Sequence, residues 1–249
     1  MIKLKNAAEI DGIRRSCRLL AEVYELIKKE VVPGIETREL DAFARDLIEK
    51  RGGKPAFLNY NGYPASLCTS VNHAVIHGIP NGYRLKEGDI ISLDLGIDLK
   101  GFISDAAVTL PVGKISDDAS RLLKVTEECL YLGIEKAVAG NRIKDISRAV
   151  YDHAKSWGFG VVREFCGHGV GLAVHEEPQI PNYVGHGPNP RLKPGMVLAI
   201  EPMINMGGDA IRILEDDWTV ETRDQRLSAH FEHTIAIFED RTEILTSLG

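Results

Sequence analysis

ISLDLGIDLKGFISDAAVTL, residues 91–110, reads as two strands joined at Lys100-Gly101. Runs of Ile, Leu and Val on either side of a Lys-Gly pair are the signature of a hairpin with a tight turn. A two-residue turn pairs positions whose numbers sum to an odd value. Asp94 and Asp105 then point to the same face, whereas a three-residue loop would put them on opposite faces. Two carboxylates set among apolar residues repel one another and resist desolvation unless a cation lies between them. A divalent metal ion is the natural candidate.

Outward from the hairpin, Asn6 and Glu9 have the spacing of a capping box ahead of an apolar helical stripe, Ile10 to Ile27, that stops before Pro33-Gly34. Thr37 is the expected cap of a second helix, which ends at Gly52-Gly53. Ser116 opens a third pattern running through Val138 toward Gly140, and a fourth spans Ile143 to Trp157 before Gly158. The remainder alternates short apolar runs with Gly/Pro loops and reads as strands.

The second half repeats the first. An offset of 106 aligns Gly34 with Gly140, Leu40 with Ile146, Asp46 with Asp152 and Gly52 with Gly158. AVIHGIP then resembles LAVHEEP, matching His77 with His175, and LKEGDIISLD resembles LKPGMVLAIE, matching Asp94 with Glu201. Asp105 in DAAVTL matches Glu232 in EHTIAI. A duplicated helix-helix-sheet unit accounts for these matches, with halves at about 1–113 and 114–249 of a single catalytic domain. Related by a pseudo-two-fold axis, the halves bring Asp94, Asp105, Glu201 and Glu232 into one cluster, a charge that two divalent cations would neutralise. His168, in GHGVG, is the expected nitrogen ligand. Carboxylate and imidazole together suit Mn, Co, Fe or Zn better than Ca or Mg. His77 and His175 remain as a related pair able to act on a substrate, and His73, His153, His186, His230 and His233 are left outside the site.

The bulk composition fits this reading. The chain has 249 residues, 44% hydrophobic and 27% charged, and a net charge of −6, which gives no electrostatic footprint for nucleic acid or an anionic membrane. The opening MIKLKNAAEIDGIRRS turns polar too soon for a secretory signal, and no apolar run is long enough to span a bilayer, so a cytoplasmic location is expected. Cys17, Cys68, Cys129 and Cys166 lie far apart and read as reduced thiols.

Taken together, VIHGIP, SLDLGI with Asp105 eleven residues beyond Asp94, GHGVG, VHEEP, LAIEPM and FEHT resemble the motifs of the methionine aminopeptidases, in that family's order and over nearly the whole chain. Lack of an N-terminal zinc-binding extension resembles the short bacterial type I form. The resemblance implies an α+β pita-bread fold, with two pseudo-symmetric helix-plus-antiparallel-sheet halves around a central dinuclear cleft. It implies removal of the initiator methionine from nascent proteins and peptides by metal-hydroxide attack on the first peptide bond. Asp94 would bind one metal, His168 and Glu201 the other, and Asp105 and Glu232 would bridge. His175 would hydrogen-bond the carbonyl oxygen, His77 would meet the scissile amide nitrogen, and Glu201 would carry the water proton to the leaving amine. Phe57, Tyr60, Tyr63, Cys68 and Trp218 match the methionine-pocket positions. Val174 departs from the pattern, where phenylalanine is frequent, and implies a wider pocket; His73 stands where glutamate is frequent. Transient ribosome association would suit cotranslational work, although no segment marks it. The nearest rival is a prolidase or Xaa-Pro aminopeptidase with the same ligands, and a rival of another class is a metal-free binding module of the same fold.

Overall fold

The computed structural model describes residues 1–247 and has an α+β architecture. Four α-helices, α1 (Ala7–Glu30), α2 (Thr37–Lys50), α3 (Asp117–Lys136) and α4 (Ile143–Ser156), pack against a nine-stranded sheet. Its strands are β1 (Lys54–Pro55), β2 (Leu67–Val71), β3 (Ile90–Leu99), β4 (Phe102–Pro111), β5 (Gly167–Gly169), β6 (Glu176–Ile180), β7 (Val197–Ile200), β8 (Glu232–Ile237) and β9 (Thr242–Ile244). They run in the order β1-β3-β4-β8-β7-β5-β6, with β2 also on β3 and β9 also on β8, and every pairing is antiparallel.

The β3–β4 hairpin turns as its sequence requires. Lys100 and Gly101 take φ of 58° and 86°, the pair of positive values whose twist suits a two-residue hairpin, and Asp98 Oδ1 accepts the Gly101 N–H at 2.7 Å. Leu99 pairs with Phe102 and the register holds to Ile90 with Pro111, so the paired numbers sum to an odd value throughout. Ile91, Leu93, Leu95 and Ile97 point away from Asp94 and pack with Leu20, Val23, Ile27, Leu40, Ala44 and Ile48 of α1 and α2. In the second half Leu198, Ile200, Ile235 and Ile237 pack in the same way with Leu122, Val125, Leu130, Ile146 and Val150 of α3 and α4. Each half thus buries one sheet face under a helix pair and leaves the other free to build a site.

The expected capping box closes at α1, where the Glu9 N–H donates to Asn6 Oδ1 (3.0 Å) and the Asn6 N–H to Glu9 Oε2 (2.8 Å). At α2 the expectation is corrected. Glu36 is the cap and Thr37 the first helical residue, because the Thr37 hydroxyl is engaged elsewhere, donating to Asn81 O (3.0 Å) and accepting from Asn81 N–H (2.8 Å). Helix α3 stops at Lys136, short of the expected Val138. The aligned glycines share geometry: Gly34 and Gly140 have φ of 97° and 95° and donate to Leu85 O and Leu192 O, while Gly52 and Gly158 have φ of 77° and 76°. Two small three-stranded sheets flank the main one. Met203–Asn205 pairs with Ser228–His230 and Gly160–Val161, and Ile211–Ile213 leads through Val220–Thr222 to Ala74–Ile76.

Candidate metal centre and substrate pocket

Residues directly opposite one another in an antiparallel sheet share a face. Ala107 on β4 pairs with Asp94 on β3 and with Glu232 on β8, which puts these carboxylates in one row. In the next row, Asp105 faces Gly96, and its backbone N–H and C=O bond the Thr234 hydroxyl (3.3 and 2.7 Å). Thr234 pairs with Ala199, which pairs with His168. Glu201 follows the last residue of β7. The rows bring all five expected ligands together: His168 Nε2 lies 3.5 Å from Glu201 Oε1 and 3.9 Å from Asp105 Oδ2, and ligand atoms of Asp105, His168 and Glu232 fall within 4.8 Å of one another. His168 reaches this position because GHGVG is strand and loop rather than a plain turn. A Cβ on Gly167 would stand 2.4 Å from Ala199 O, so only glycine lets β5 approach β7 this closely.

The electrostatics favour a cation at this cluster. All five residues are buried. Burial pushes Asp94 up to about 7 and Glu201 up to about 8, and holds Asp105 and Glu232 well above the ordinary carboxylate range, with the neighbouring carboxylates adding to the effect on both. Among the described residues, Asp94 Oδ1, Asp105 Oδ1 and Glu232 Oε1 are buried without hydrogen-bond partners, which is costly for acceptors in a protein interior. Burial also lowers His168 to about 3, leaving a neutral imidazole whose Nδ1 lies 3.0 Å from Gly169 O and whose Nε2 faces the carboxylates. An imidazole fixed at one nitrogen and free at the other, beside unpartnered carboxylate oxygens, is a donor set that divalent transition metals accept.

The same residues line a cavity of about 180 Å³ together with Phe57, Tyr60, Asn61, Tyr63, Cys68, His77, His175 and Trp218. Every expected site residue is therefore in one place. Tyr63 and Trp218 meet edge to face at 5.1 Å, and Tyr63 donates to Gly78 O (3.0 Å). Cys68 is fully desolvated, which holds its thiol well above the usual range and makes it an inert apolar wall. His175 Nδ1 lies 2.9 Å from the Tyr60 hydroxyl, and its ring stands 4.3 Å from that of His168. His77, whose backbone has φ of 58°, is lowered to about 4 by burial and by the nearby His230 and His175. Such a conformation is uncommon outside glycine and recurs at functional sites. Val174 packs with Phe57, Tyr63 and Cys68 but does not line the cavity.

Three residues escape the sequence reading. Phe165 packs edge to face on His77 at 5.6 Å, and Asn61 lines the cavity mouth. His230, set aside with the ordinary histidines, is corrected: it is 1% exposed, its Nε2 stands 3.4 Å from Glu201 Oε2, and neither ring nitrogen has a hydrogen-bond partner among the described residues. Thr109 pins its backbone from both sides, accepting from its N–H and donating to its C=O at 2.8 Å. The position two residues before Glu232 was the only signal in the sequence.

Residues 11–239 match the model of metallopeptidase family M24. The chain belongs to that family. Among M24 members it is similar to the methionine aminopeptidase of Treponema pallidum, 52% identical over 99% of this chain and 96% of that one. It is likewise 52% identical to the methionine aminopeptidase of Clostridium perfringens, over 99% of both chains. The crystal structure of methionine aminopeptidase from Rickettsia prowazekii superposes with a TM-score of 0.97 at 39% identity, covering 99% of this chain and 100% of that one. The prolidase from Pyrococcus horikoshii shares the fold at a TM-score of 0.81, with 24% identity and 64% of its length covered. This M24 chain therefore has the pita-bread fold, and the expected resemblance to bacterial type I methionine aminopeptidases holds along its length. It is a metallopeptidase with a group of side chains able to hold divalent metal. Among the described residues no helix is long and apolar enough to cross a membrane.

Proposed function

We propose that this chain removes the N-terminal methionine from nascent proteins and peptides. The observation that carries the reading is that five ligand side chains and a set of aromatic and sulfur-bearing side chains line one small cavity. Asp94, Asp105, His168, Glu201 and Glu232 would hold two divalent ions, drawn from Co, Mn, Fe or Zn. When bound, these ions supply Lewis-acid polarisation of the carbonyl and acidification of the attacking water.

The protein's own groups do the rest. Phe57, Tyr60, Tyr63, Cys68 and Trp218 hold an unbranched thioether, since aromatic rings and sulfur suit a polarizable side chain. The Tyr60 hydroxyl lies 2.9 Å from His175 Nδ1; in the tautomer where the hydroxyl donates, Nε2 carries the proton and can donate to the carbonyl oxygen as negative charge develops there. His77, neutral through burial, faces the scissile amide nitrogen. As the water oxygen bonds to the carbonyl carbon and the C–N bond breaks, Glu201 takes the water proton and delivers it to the leaving amine. A free terminal amine would sit close to the metal centre, so one residue is removed and internal bonds are spared.

The site and its two helix-and-sheet halves descend, in this reading, from one duplicated unit within a single catalytic domain. Transient ribosome association and a cytoplasmic location complete it, since nascent chains are the substrate. A comparison of Met-Ala-Ser, Leu-Ala-Ser and Ala-Pro-Ser peptides with the metal-reconstituted protein is the direct test. The methionyl peptide alone should turn over well, and Asp94→Asn and His77→Ala should lower its turnover. Preference for Ala-Pro-Ser would move the chain to the prolidase side, and full activity in Asp94→Asn would sink the metal reading.

A further inference from the structure

The loop that presents His175 is held from an unexpected direction. Glu176, the next residue, is only 11% exposed at its side chain and uses both oxygens. Oε1 accepts the backbone N–H groups of Leu172 and Ala173 (2.7 and 3.1 Å), closing the loop on itself. Oε2 pairs at 2.8 Å with Lys5 Nζ, whose side chain is 1% exposed. Lys5 is anchored in turn, because its backbone N–H donates to Gly195 O (2.7 Å). The loop has further fixed points at Gly171, whose carbonyl accepts from Ile103 N–H (2.7 Å) and whose open Cα face meets Ile13 of α1.

Burying a lysine ammonium is costly unless it is paired and hydrogen-bonded. The chain accepts that cost 171 residues away in sequence from the partner, at the loop that carries His175. We infer that Lys5 and Glu176 are positioning residues for His175. The ion pair fixes the Glu176 carboxylate, the carboxylate fixes the Leu172 and Ala173 amides, and the loop then delivers the His175 ring to the Tyr60 hydroxyl and the cavity. Neither residue touches substrate or the metal centre. The inference rests on the oxyanion role of His175 proposed above.

The test uses the full-length, metal-loaded protein with the methionyl tripeptide, comparing Lys5→Met, Lys5→Arg and Glu176→Gln in wild-type and His175→Ala backgrounds. Lys5→Met should lower kcat about tenfold or more with KM changed less than about twofold, since misplacement of a catalytic group is felt mainly in the transition state. Lys5→Arg, which keeps a buried cation, should recover most of that loss. Glu176→Gln, which keeps an acceptor for the two amides, guards against poor folding of Lys5→Met and should show the same split between kcat and KM. In the His175→Ala background neither substitution should lower kcat further, and Mn2+ affinity by calorimetry should be unchanged throughout. Equal losses in both backgrounds, or Mn2+ affinity falling in step with kcat, would show a merely structural role and overturn the inference. Wild-type kcat in His175→Ala would instead overturn the role given to His175.

Discussion

Asp94 and Glu232 both pair with Ala107, one from each neighbouring strand. The methyl group of Ala107 is therefore the only side chain separating them along that row of the sheet. A larger residue there would occupy the space between the carboxylates. Ala107→Leu should weaken Mn2+ binding by at least about tenfold, read by calorimetry, and lower stability by about 1–3 kcal/mol through overpacking. Unchanged Mn2+ affinity would show that the ligands do not converge over Ala107.

Exhaustive chelation should abolish peptide turnover and lower the melting temperature, because a cation that binds only the folded chain stabilises it by mass action. Re-addition of Mn2+ or Co2+ should restore both. Turnover that survived chelation would remove the metallopeptidase reading of this chain.

The metal-free protein should lose stability as pH rises. Asp94 and Glu201 are raised to about 7 and about 8 when folded, whereas an unfolded carboxylate titrates near about 4. Between these values the folded state binds more protons than the unfolded state, so the unfolding free energy falls with increasing pH. Urea melts of the chelated protein from about pH 7 to about pH 8.5, above the range where histidines buried neutral, such as His77 and His168, take up protons only on unfolding and so oppose the trend, should show declining midpoints, and Mn2+ should flatten the decline. A midpoint that rises across this window without metal would contradict the burial of these groups as acids.

Tyr60→Phe removes the hydroxyl 2.9 Å from His175 Nδ1 and leaves the pocket's aromatic wall in place. A bond of this kind contributes about 0.5–1.5 kcal/mol, so kcat should fall roughly three- to tenfold with little change in KM. A rise in KM alone would assign Tyr60 to substrate packing only.

Gly167→Ala would place a methyl group 2.4 Å from Ala199 O. The β5–β7 pairing must open to admit it, and thermal denaturation should reveal a loss of about 1–3 kcal/mol. His168 moves with β5, so Mn2+ affinity should fall as well. Wild-type stability would mean that the strands have room the structure does not show.

Much of this architecture was legible in the chain itself. The Lys100-Gly101 turn and its flanking apolar runs determined the hairpin register, and through it the shared face of Asp94 and Asp105, because side-chain direction in a strand alternates with every residue. The capping box at Asn6 and Glu9 and the glycines that end α2 and α4 marked helix ends through local bonding, with Gly52 N–H donating to Glu49 O and Gly158 N–H to Lys155 O. The internal repeat, whose offset of 106 in the helices drifts to 107 and then 127 with insertions, pointed to Glu201 and Glu232 as partners of the first pair. Thr37 misled, because its hydroxyl is used by Asn81 from a distant loop, a contact with no local signature.

His230 and Lys5 show what local pattern cannot carry. Nothing near Lys5 in sequence announces that its ammonium will be buried against Glu176, and nothing in SAHFEHT separates His230 from an ordinary strand histidine. Both depend on which segments meet when two half-sheets join along β4 and β8. The sequence by itself determined the elements, the register and the ligand types, since these follow from short-range sterics and periodicity. Only the tertiary structure decided which buried charges found partners, since desolvation and pairing are set by neighbours that are remote in the chain.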